Sequence, residues 1–281
     1  MTLCDAHIHV VGDDPARMIP SRTYTPPPAA IETLQGLAKP LGITRFIVVQ
    51  PSFYGTDNRE VLKALRVLGP DGAGVAVVDP AAVTDAELQD LASARVRGLR
   101  INLYSTHGLG PGPGLAARFG AMAAVAGRMG WHVQVIAKLP VVVEAADVLA
   151  GSPVPVVIDH YGLPEKVGPG SEAGRRFLAL LREPHVWVKL SAPYRWTGEP
   201  LGIRPEPAWV ESLLEAAGER CVWGSDWPHT PAHEAQLGDA APLPYRPLDY
   251  RAVVEGFRAA LPERWAERVM GENPGRLYGF D

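Results

Sequence analysis

Eight short apolar segments recur along the 281 residues of this chain, and stretches with helical periodicity separate them. Apolar segments of this length are typical of strands that are buried on both faces of a parallel sheet. The predicted strands are Thr2–Val11, Arg45–Gln50, Gly74–Val78, Val96–Leu103, Trp131–Ile136, Val154–His160, Val186–Ser191 and Cys221–Ser225. Their alternation with helices predicts an α/β fold, namely a single (β/α)8 TIM barrel that spans residues 1–281 as one domain.

Helices are predicted in the segments between these strands. They cover Ala29–Leu41, Asp57–Leu68, Asp85–Ala94, a segment that ends at Met129 after the loop Gly108–Gly114, Val141–Leu149, Glu172–Arg182 and Trp209–Ala217, and two helices close the chain. Asp57 is predicted to cap the second helix, and Asn273, followed by Pro274, to begin the last one. A doubly wound open sheet is the alternative, but it would need a glycine-rich phosphate-binding turn after the first strand.

The first strand ends in two histidines where such a turn would lie. His7 and His9 are two residues apart, and side chains alternate between the two faces of a strand. Both imidazoles are therefore expected on the same face, at the carboxyl end of the strand. Two convergent imidazoles can bind a metal, or they can polarise a carbonyl oxygen as hydrogen-bond donors.

Further polar residues follow other predicted strands or lie in the long loop after the first one. In a barrel the carboxyl ends of the strands form the active-site face, so these scattered residues are expected to converge. The candidate site residues are His7, His9, Tyr24, Ser52, Arg100, Asn102, His160, Arg195, Asp226 and His229. Three imidazoles and an aspartate on one face are difficult to explain by structural roles alone.

Structural roles remain open for individual residues. Arg100 can pair with a carboxylate such as that of Glu87, and Asp159 can cap the helix that follows it. The two cysteines, Cys4 and Cys221, lie in predicted strands and are too few for a disulfide framework. Buried thiols in a reducing cytoplasm are therefore expected.

Composition and charge argue against several classes of partner. The chain is 47% hydrophobic and 21% charged, which is ordinary for a globular protein with a large core. Its formal net charge of −4 offers no electrostatic footprint for nucleic acid or an anionic membrane. The amino terminus lacks the pattern of a signal peptide, and no apolar stretch approaches the length of a membrane span. We therefore expect a cytoplasmic protein whose partner is a small molecule.

The arrangement of these motifs resembles the amidohydrolase superfamily, which has His-x-His after strand one, a histidine after strand six and an aspartate after strand eight. More closely, the chain resembles the 2-pyrone-4,6-dicarboxylate lactonase branch along nearly its whole length. The matching stretches are CDAHIHV, RTYTP, IVVQPSFYGTDNR, VRGLRINL, GWHVQV, VVIDHYGLP, WVKLSAPYR, VWGSDWPH and NPGRLYGF. So many segments in the same order are specific for the family and much less specific for the substrate.

The resemblance implies a role for each matching residue. Asp226 would take the proton from the attacking water, while His7, His9 and His160 would polarise the lactone carbonyl, without a required metal. The residues that would bind the carboxylates of the substrate are Tyr24, Ser52, Arg100 and Arg195, and we add Asn102 and His229 as candidates for substrate binding. Preorganised donors stabilise the charge that ester hydrolysis builds on the carbonyl oxygen, and the arginine fork suits a carboxylate.

The chain departs from the family pattern at two positions. Thr106 stands where the family has a second arginine, and Ile136 stands where it has a tyrosine on strand five. The substrate is therefore expected to differ from the pyrone dicarboxylate itself. Metal-dependent members of the superfamily usually supply a ligand from strand five, so metal-free chemistry is favoured. Zinc held by His7, His9, His160 and Asp226 remains the alternative, since those residue types suit it.

Four functions stay open at this point. The favoured one is a hydrolase that opens a small acidic lactone, such as a pyrone dicarboxylate, a muconolactone or a sugar-acid lactone. A lactone isomerase and a metal-dependent decarboxylase or amide hydrolase are the enzymatic alternatives. A small-acid binding protein is the non-enzymatic one, but a binder has no need of a carboxylate such as Asp226 facing an anionic ligand, because like charges repel.

Overall fold

Eight parallel strands form a barrel in sequence order in this computed structural model, which describes residues 2–22, 24–104, 114–199, 201–231 and 242–280. The strands are β1 (Leu3–Ile8), β2 (Ile43–Val49), β3 (Gly72–Ala76), β4 (Val96–Asn102), β5 (His132–Ile136), β6 (Val156–Ile158), β7 (Val186–Ser191) and β8 (Cys221–Gly224). The predicted (β/α)8 architecture is confirmed, because each predicted strand overlaps an observed one.

Helices surround the strands. They are α1 (Ile31–Ala38), α2 (Arg59–Leu68), α3 (Asp85–Ser93), α4 (Leu115–Met129), α5 (Leu139–Glu144), α6 (Ala146–Ala150), α7 (Glu172–Leu181), α8 (Pro207–Ala217), α9 (Tyr250–Ala259), α10 (Glu263–Glu267) and α11 (Asn273–Tyr278). Single 3-10 turns follow three strands and carry site residues; they are Ser52–Tyr54, His160–Gly162 and Pro193–Arg195. None of the helices in the described ranges is long and apolar enough to cross a membrane.

The apolar core consists of two clusters, one between the strands and the surrounding helices and one inside the barrel. The larger cluster joins one face of the strands to the helices and includes Ile8, Leu99, Val188 and Trp209. The smaller cluster lies inside the barrel and contains Cys4, Ala6, Ile47, Val49, Ala73, Val75, Val222, Tyr278 and Phe280. Tyr278 and Phe280 come from the end of the chain, so the C-terminal segment fills the amino-terminal end of the barrel. This leaves the carboxyl ends of the strands as the open end, where the site lies.

The seam between β8 and β1 is held by short contacts rather than by a long ladder. The His9 amide donates to the Trp227 carbonyl (2.8 Å), and the Asp226 amide donates to the His7 carbonyl (2.9 Å). One carboxylate oxygen of Asp5, Oδ1, accepts from the Ser225 amide at 2.8 Å. The backbone that closes the barrel therefore carries three of the candidate site residues.

Two predicted caps are wrong. The second helix begins at Arg59, not at Asp57, whose carboxylate accepts from the Arg59 amide (3.1 Å) and pairs with Arg17. Asn273 is the first residue of α11, as predicted, but it does not cap this helix, because its own backbone is helical and the helical segment runs on from Glu263 through a π-helical turn. Its side chain donates instead to the carbonyls of Gly218 (2.9 Å) and Cys221 (2.7 Å), so it ties this segment to the start of β8.

The two cysteines are buried, unpaired thiols in strands, as predicted. Burial raises the pKa of the Cys221 thiol to about 12, and burial followed by the charge of Asp5 raises that of Cys4. A thiol with a raised pKa holds its proton and is a poor nucleophile. Neither cysteine is a candidate for chemistry.

Candidate active site

A small pocket opens at the carboxyl ends of the strands. It is lined by His9, Tyr24, Pro51, Ser52, Phe53, Arg100, Asn102, Ile136, His160, Arg195, Asp226 and Thr230. Eight of the ten residues predicted from the sequence therefore line one cavity. His7 lies directly beneath it and is fully buried. His229 does not line the pocket. Thr106, and residues 108–113 of the predicted Gly108–Gly114 loop, lie outside the described residues.

Three imidazoles converge on one carboxylate oxygen. Asp226 Oδ1 lies 3.4 Å from His9 Nε2, 3.6 Å from His7 Nε2 and 3.9 Å from His160 Nε2. A residue without a side chain allows this approach, since a methyl group at Gly224 would lie only 2.4 Å from the His7 Cβ. The prediction that the histidines and the aspartate share one face is confirmed.

The other nitrogen of each imidazole, Nδ1, has a polar neighbour that bears on where the ring carries its proton. His9 Nδ1 lies 2.7 Å from the Val49 carbonyl, and it must donate because a carbonyl has no proton to give. His7 Nδ1 lies 3.4 Å from Asp159 Oδ1, which favours a proton on that nitrogen as well. In their neutral forms His9 and His7 therefore direct Nε2 lone pairs at Asp226.

His160 differs from the other two imidazoles. Its Nδ1 lies 2.8 Å from the Ser191 hydroxyl, which can either donate or accept. When Ser191 donates, His160 carries its proton on Nε2 and presents an N–H to the pocket. Burial lowers the pKa of His160 to about 4, against the opposing effect of Asp226, so the ring is neutral near pH 7.

The two oxygens of Asp226 have different surroundings. Oδ2 accepts hydrogen bonds from Tyr194 Oη (2.8 Å) and from Arg195 Nε (2.9 Å) and Nη2 (2.6 Å), whereas Oδ1 has no hydrogen-bond partner. Burial alone would raise the pKa of this carboxyl, but Arg195, then His160, hold it well below its usual range. Asp226 is therefore an ionised carboxylate with one oxygen fixed and the other free to react.

Arg195 and His229 both lie close to Asp226, and of the two only Arg195 lines the pocket. Arg195 donates hydrogen bonds from Nε and Nη2 to Asp226, and Nη2 also donates to Thr230 Oγ1 at 2.7 Å. His229 lies behind Tyr194, with Nδ1 3.3 Å from the phenol oxygen, and burial lowers its pKa to about 4. Both residues thus support Asp226, directly or through Tyr194.

A second carboxylate, Asp159, lies on the other side of His7. Its Oδ2 accepts from Arg100 Nη2 (3.2 Å) and Gln134 Nε2 (3.1 Å). The suggested alternatives are therefore wrong: Arg100 does not pair with Glu87, which instead closes the amino end of α3 with Thr84, and Asp159 makes no capping hydrogen bond. Arg100 keeps a buried Nε without a partner and lines the pocket, so it can still meet a ligand.

Sequence reasoning missed Tyr194 and Asp159 as parts of the site. Both were visible as polar residues at strand ends, next to Arg195 and His160. Several residues here, including Asp226, His160 and His229, have left-handed backbones, with φ of 62°, 53° and 66°. Such conformations cost free energy in non-glycine residues and concentrate at functional sites.

Two groups of the described residues could hold a metal ion. Ligand atoms of His7, His9 and Asp226 lie within 4.8 Å of one another, as do those of His7, Asp159 and His160. His7 Nε2 and Asp226 Oδ1 are buried without hydrogen-bond partners. Imidazole and carboxylate are zinc ligands, and imidazoles that bind metals usually donate their other N–H to a carbonyl or carboxylate, as His9 does here to the Val49 carbonyl.

Comparison with known proteins agrees with this geometry. Residues 4–280 match the model of an amidohydrolase family. The chain is 32% identical to a 2-pyrone-4,6-dicarboxylate hydrolase of Comamonas testosteroni, over 98% of the chain and 89% of the relative. It is 29% identical to a 4-sulfomuconolactone hydrolase of Rhizobium radiobacter, with the same coverage, and 27% identical to a D-galactarolactone isomerase of Agrobacterium fabrum, over 90% and 83%.

A solved structure agrees as well. The crystal structure of a putative 2-pyrone-4,6-dicarboxylic acid hydrolase from Pseudomonas putida superposes with a TM-score of 0.81 at 29% identity, covering 100% of this chain and 98% of that one. The resemblance inferred from the His-x-His, His and Asp motifs is confirmed, and the chain belongs to the amidohydrolase family.

Proposed function

We propose that this protein is a hydrolase that opens a small anionic lactone. The observation that carries the proposal is Asp226, whose unbonded Oδ1 is buried, ionised and faces both the pocket and His9 Nε2. Two relatives of this chain are named as hydrolases, one of 2-pyrone-4,6-dicarboxylate and one of 4-sulfomuconolactone. A carboxylate with one free oxygen, beside neutral imidazoles, is suited to take a proton from water.

In the proposed reaction Asp226 Oδ1 accepts a proton from water, and the resulting hydroxide attacks the lactone carbonyl carbon. The new O–H on Oδ1 can donate to the His9 Nε2 lone pair 3.4 Å away, which stabilises the protonated acid. This contact offsets the effect of Arg195, which by itself would make Asp226 a weak base. A positioned general base contributes about 10²- to 10⁴-fold to the rate.

The oxyanion of the tetrahedral intermediate needs a donor, and His160 can supply it. With the Ser191 hydroxyl donating to Nδ1, the ring carries its proton on Nε2, and His160 lines the pocket. A preorganised donor of this kind is worth about 10²- to 10³-fold. When the intermediate collapses, the ring oxygen leaves as an alkoxide, takes the proton back from Asp226, and gives a hydroxy acid.

The pocket favours an anionic substrate. Arg100 has a buried Nε without a hydrogen-bond partner. Arg100 and Arg195 both line the cavity, together with Tyr24, Ser52 and Asn102. A charge-assisted hydrogen bond to a buried carboxylate stabilises binding by about 1.5–3 kcal/mol. An acidic group on the lactone ring is therefore the feature that we expect the pocket to recognise.

We further propose that the reaction needs no metal. A divalent ion bound by His7, His9, His160 and Asp226 would act as a Lewis acid toward the carbonyl. However, each of the two carboxylates beside that position, Asp226 and Asp159, is already paired with an arginine, Arg195 or Arg100, which offsets the negative charge that would attract a cation. Strand β5 adds only Ile136 to the pocket, where metal-dependent relatives usually provide a ligand.

A lactone panel tests both parts of the proposal. Pyrone carboxylates, muconolactones and aldonolactones would be followed by ring absorbance or a pH indicator. Chelator-treated protein, shown by elemental analysis to be metal-free, should retain most of its activity, and added zinc should not raise it. Loss of activity on stripping, restored by one equivalent of a divalent ion, would assign the reaction to metal chemistry.

Lactone isomerisation is the second candidate, because one relative is named as a D-galactarolactone isomerase. The same donor and base could serve it if a hydroxyl of the substrate, instead of water, attacked the carbonyl. Isomerisation releases no acid, whereas hydrolysis of a lactone does. The pH indicator therefore distinguishes the two reactions.

A further inference from the structure

A lysine lies inside the barrel, beneath the pocket, and takes no part in the proposed reaction. Lys189, on β7, is fully buried, and its ammonium lies over the Tyr278 ring, 5.7 Å from the centroid. Burial lowers its pKa to about 8. Burying an ammonium group costs free energy unless the group is hydrogen-bonded or paired. The hydrogen-bond partner of Lys189 is a backbone atom, the Ala6 carbonyl, at 2.7 Å from Nζ.

Ala6 lies where β1 changes the direction of its side chains. Cys4 and Ala6 belong to the cluster inside the barrel, as a regular strand would have it. The same alternation would place Ile8 inside and both histidines outside. Instead Ile8 packs in the outer shell, and the His7 ring lies inside, with its centroid 4.8 Å from that of His160.

The pairing of β1 with β2 shows the same irregularity. The register shifts between Asp5 and Ile8, as it does when an extra residue is accommodated in a β-bulge. Bulges near active sites redirect side chains. Here the bulge accounts for an arrangement that a regular strand cannot provide, with Cys4, Ala6, His7 and His9 all directed to the interior.

We propose that Lys189 is a positioning residue that fixes this bulge through the Ala6 carbonyl and so aims His7 and His9 at Asp226. The role in catalysis rests on the proposed lactone hydrolysis, while the effect on the two imidazoles does not. A hydrogen bond from an ammonium to a carbonyl one residue before His7 acts directly on the backbone that carries it.

The test replaces Lys189 with methionine, which keeps the length of the side chain and removes the donor. In protein labelled with ¹⁵N-histidine, the ring-nitrogen signals of His7 and His9 should shift in Lys189→Met, while those of His160 and His229 stay unchanged. With an active substrate, kcat should fall by about 10²-fold, as expected for a displacement of about 1 Å at a reacting centre, with KM within about three-fold.

Two further variants separate positioning from a general loss of stability. Val188→Ala alters the next residue of β7, which faces the outer shell, and should leave the imidazole signals and kcat unchanged. Lys189→Gln keeps a donor without the charge, so it should recover part of the loss seen in Lys189→Met, and it carries the test if the methionine variant does not fold.

Three results would overturn the proposal. The His7 and His9 signals could stay in place in Lys189→Met, all the imidazole signals could shift together, or Val188→Ala could reproduce the change. Because the imidazole signals are read without substrate, a protein with no lactonase activity would still decide whether Lys189 aims the histidines.

Discussion

Two buried carboxylates flank His7, and their surroundings are alike in most respects. Asp226 lies 3.6 Å from His7 Nε2 and Asp159 lies 3.4 Å from His7 Nδ1. Each is paired with an arginine, Arg195 or Arg100, and each has a pKa well below its usual range although burial opposes this. They differ in access, because Asp226 lines the pocket and Asp159 does not.

Burial, pairing with an arginine and a lowered pKa therefore do not by themselves identify a catalytic carboxylate. The free oxygen of Asp226 faces three imidazole nitrogens and the pocket, whereas that of Asp159 lies 3.4 Å from His7 Nδ1, in a residue that does not line the pocket. Asp226 can therefore exchange a proton with a bound water, while Asp159 can only fix the ring of His7. Substitutions on the two sides of His7 should accordingly differ in kind.

The largest effect is expected from Asp226→Asn. The amide keeps the shape of the side chain but is a very poor base, so kcat should fall by about 10²- to 10⁴-fold. Substrate should still bind, which calorimetry can measure, and circular dichroism should confirm the fold because a buried partner of Arg195 is lost. Turnover within a few-fold of the parent would remove Asp226 from the role of base.

Arg100→Met should have the next largest effect, mainly on substrate binding. Loss of a charge-assisted hydrogen bond should raise KM for an anionic lactone by about 10- to 100-fold and leave a neutral lactone comparatively unaffected. Thermal unfolding should be measured in parallel, because Asp159 would lose its ion-pair partner. Equal losses on charged and neutral lactones would make Arg100 a structural partner of Asp159 only.

Asp159→Asn should have the smallest effect of the three. Loss of a partner that orients an imidazole typically costs about 10- to 100-fold, and we expect the lower end because the Asn amide retains one oxygen for Arg100 or Gln134. The loss should appear in kcat with KM little changed. A decrease as large as that of Asp226→Asn would show that the two carboxylates are not distinguished by access.

Much of the fold followed from the sequence, because apolar strand segments and helical periodicity are local properties. The eight strands and the convergence of His7, His9, His160 and Asp226 at one end could be predicted from alternation and strand-end position. The two histidines share a face because side chains alternate along a strand, as predicted. The bulge in β1 could not be predicted, and it decides which face they share, since regular alternation from Cys4 and Ala6 would turn both imidazoles outward.

The pairing of charged groups was also beyond the sequence. Arg195 follows β7 and Asp226 follows β8, and no local sequence pattern shows that the arginine donates its hydrogen bonds to the aspartate. Likewise Arg100 and Asp159 lie 59 residues apart and meet only inside the closed barrel. Asn273 resembled a helix cap locally, but its amide finds carbonyls more than 50 residues away. These contacts depend on tertiary structure.

The most direct test of the central claim follows oxygen from solvent into the product. An active lactone from the panel would be turned over in H₂¹⁸O and the product analysed by mass spectrometry. Hydrolysis by Asp226-activated water predicts a ring-opened hydroxy acid that carries one ¹⁸O in its new carboxylate, at a rate that Asp226→Asn nearly abolishes. A product of unchanged mass and without ¹⁸O would show isomerisation and contradict the account.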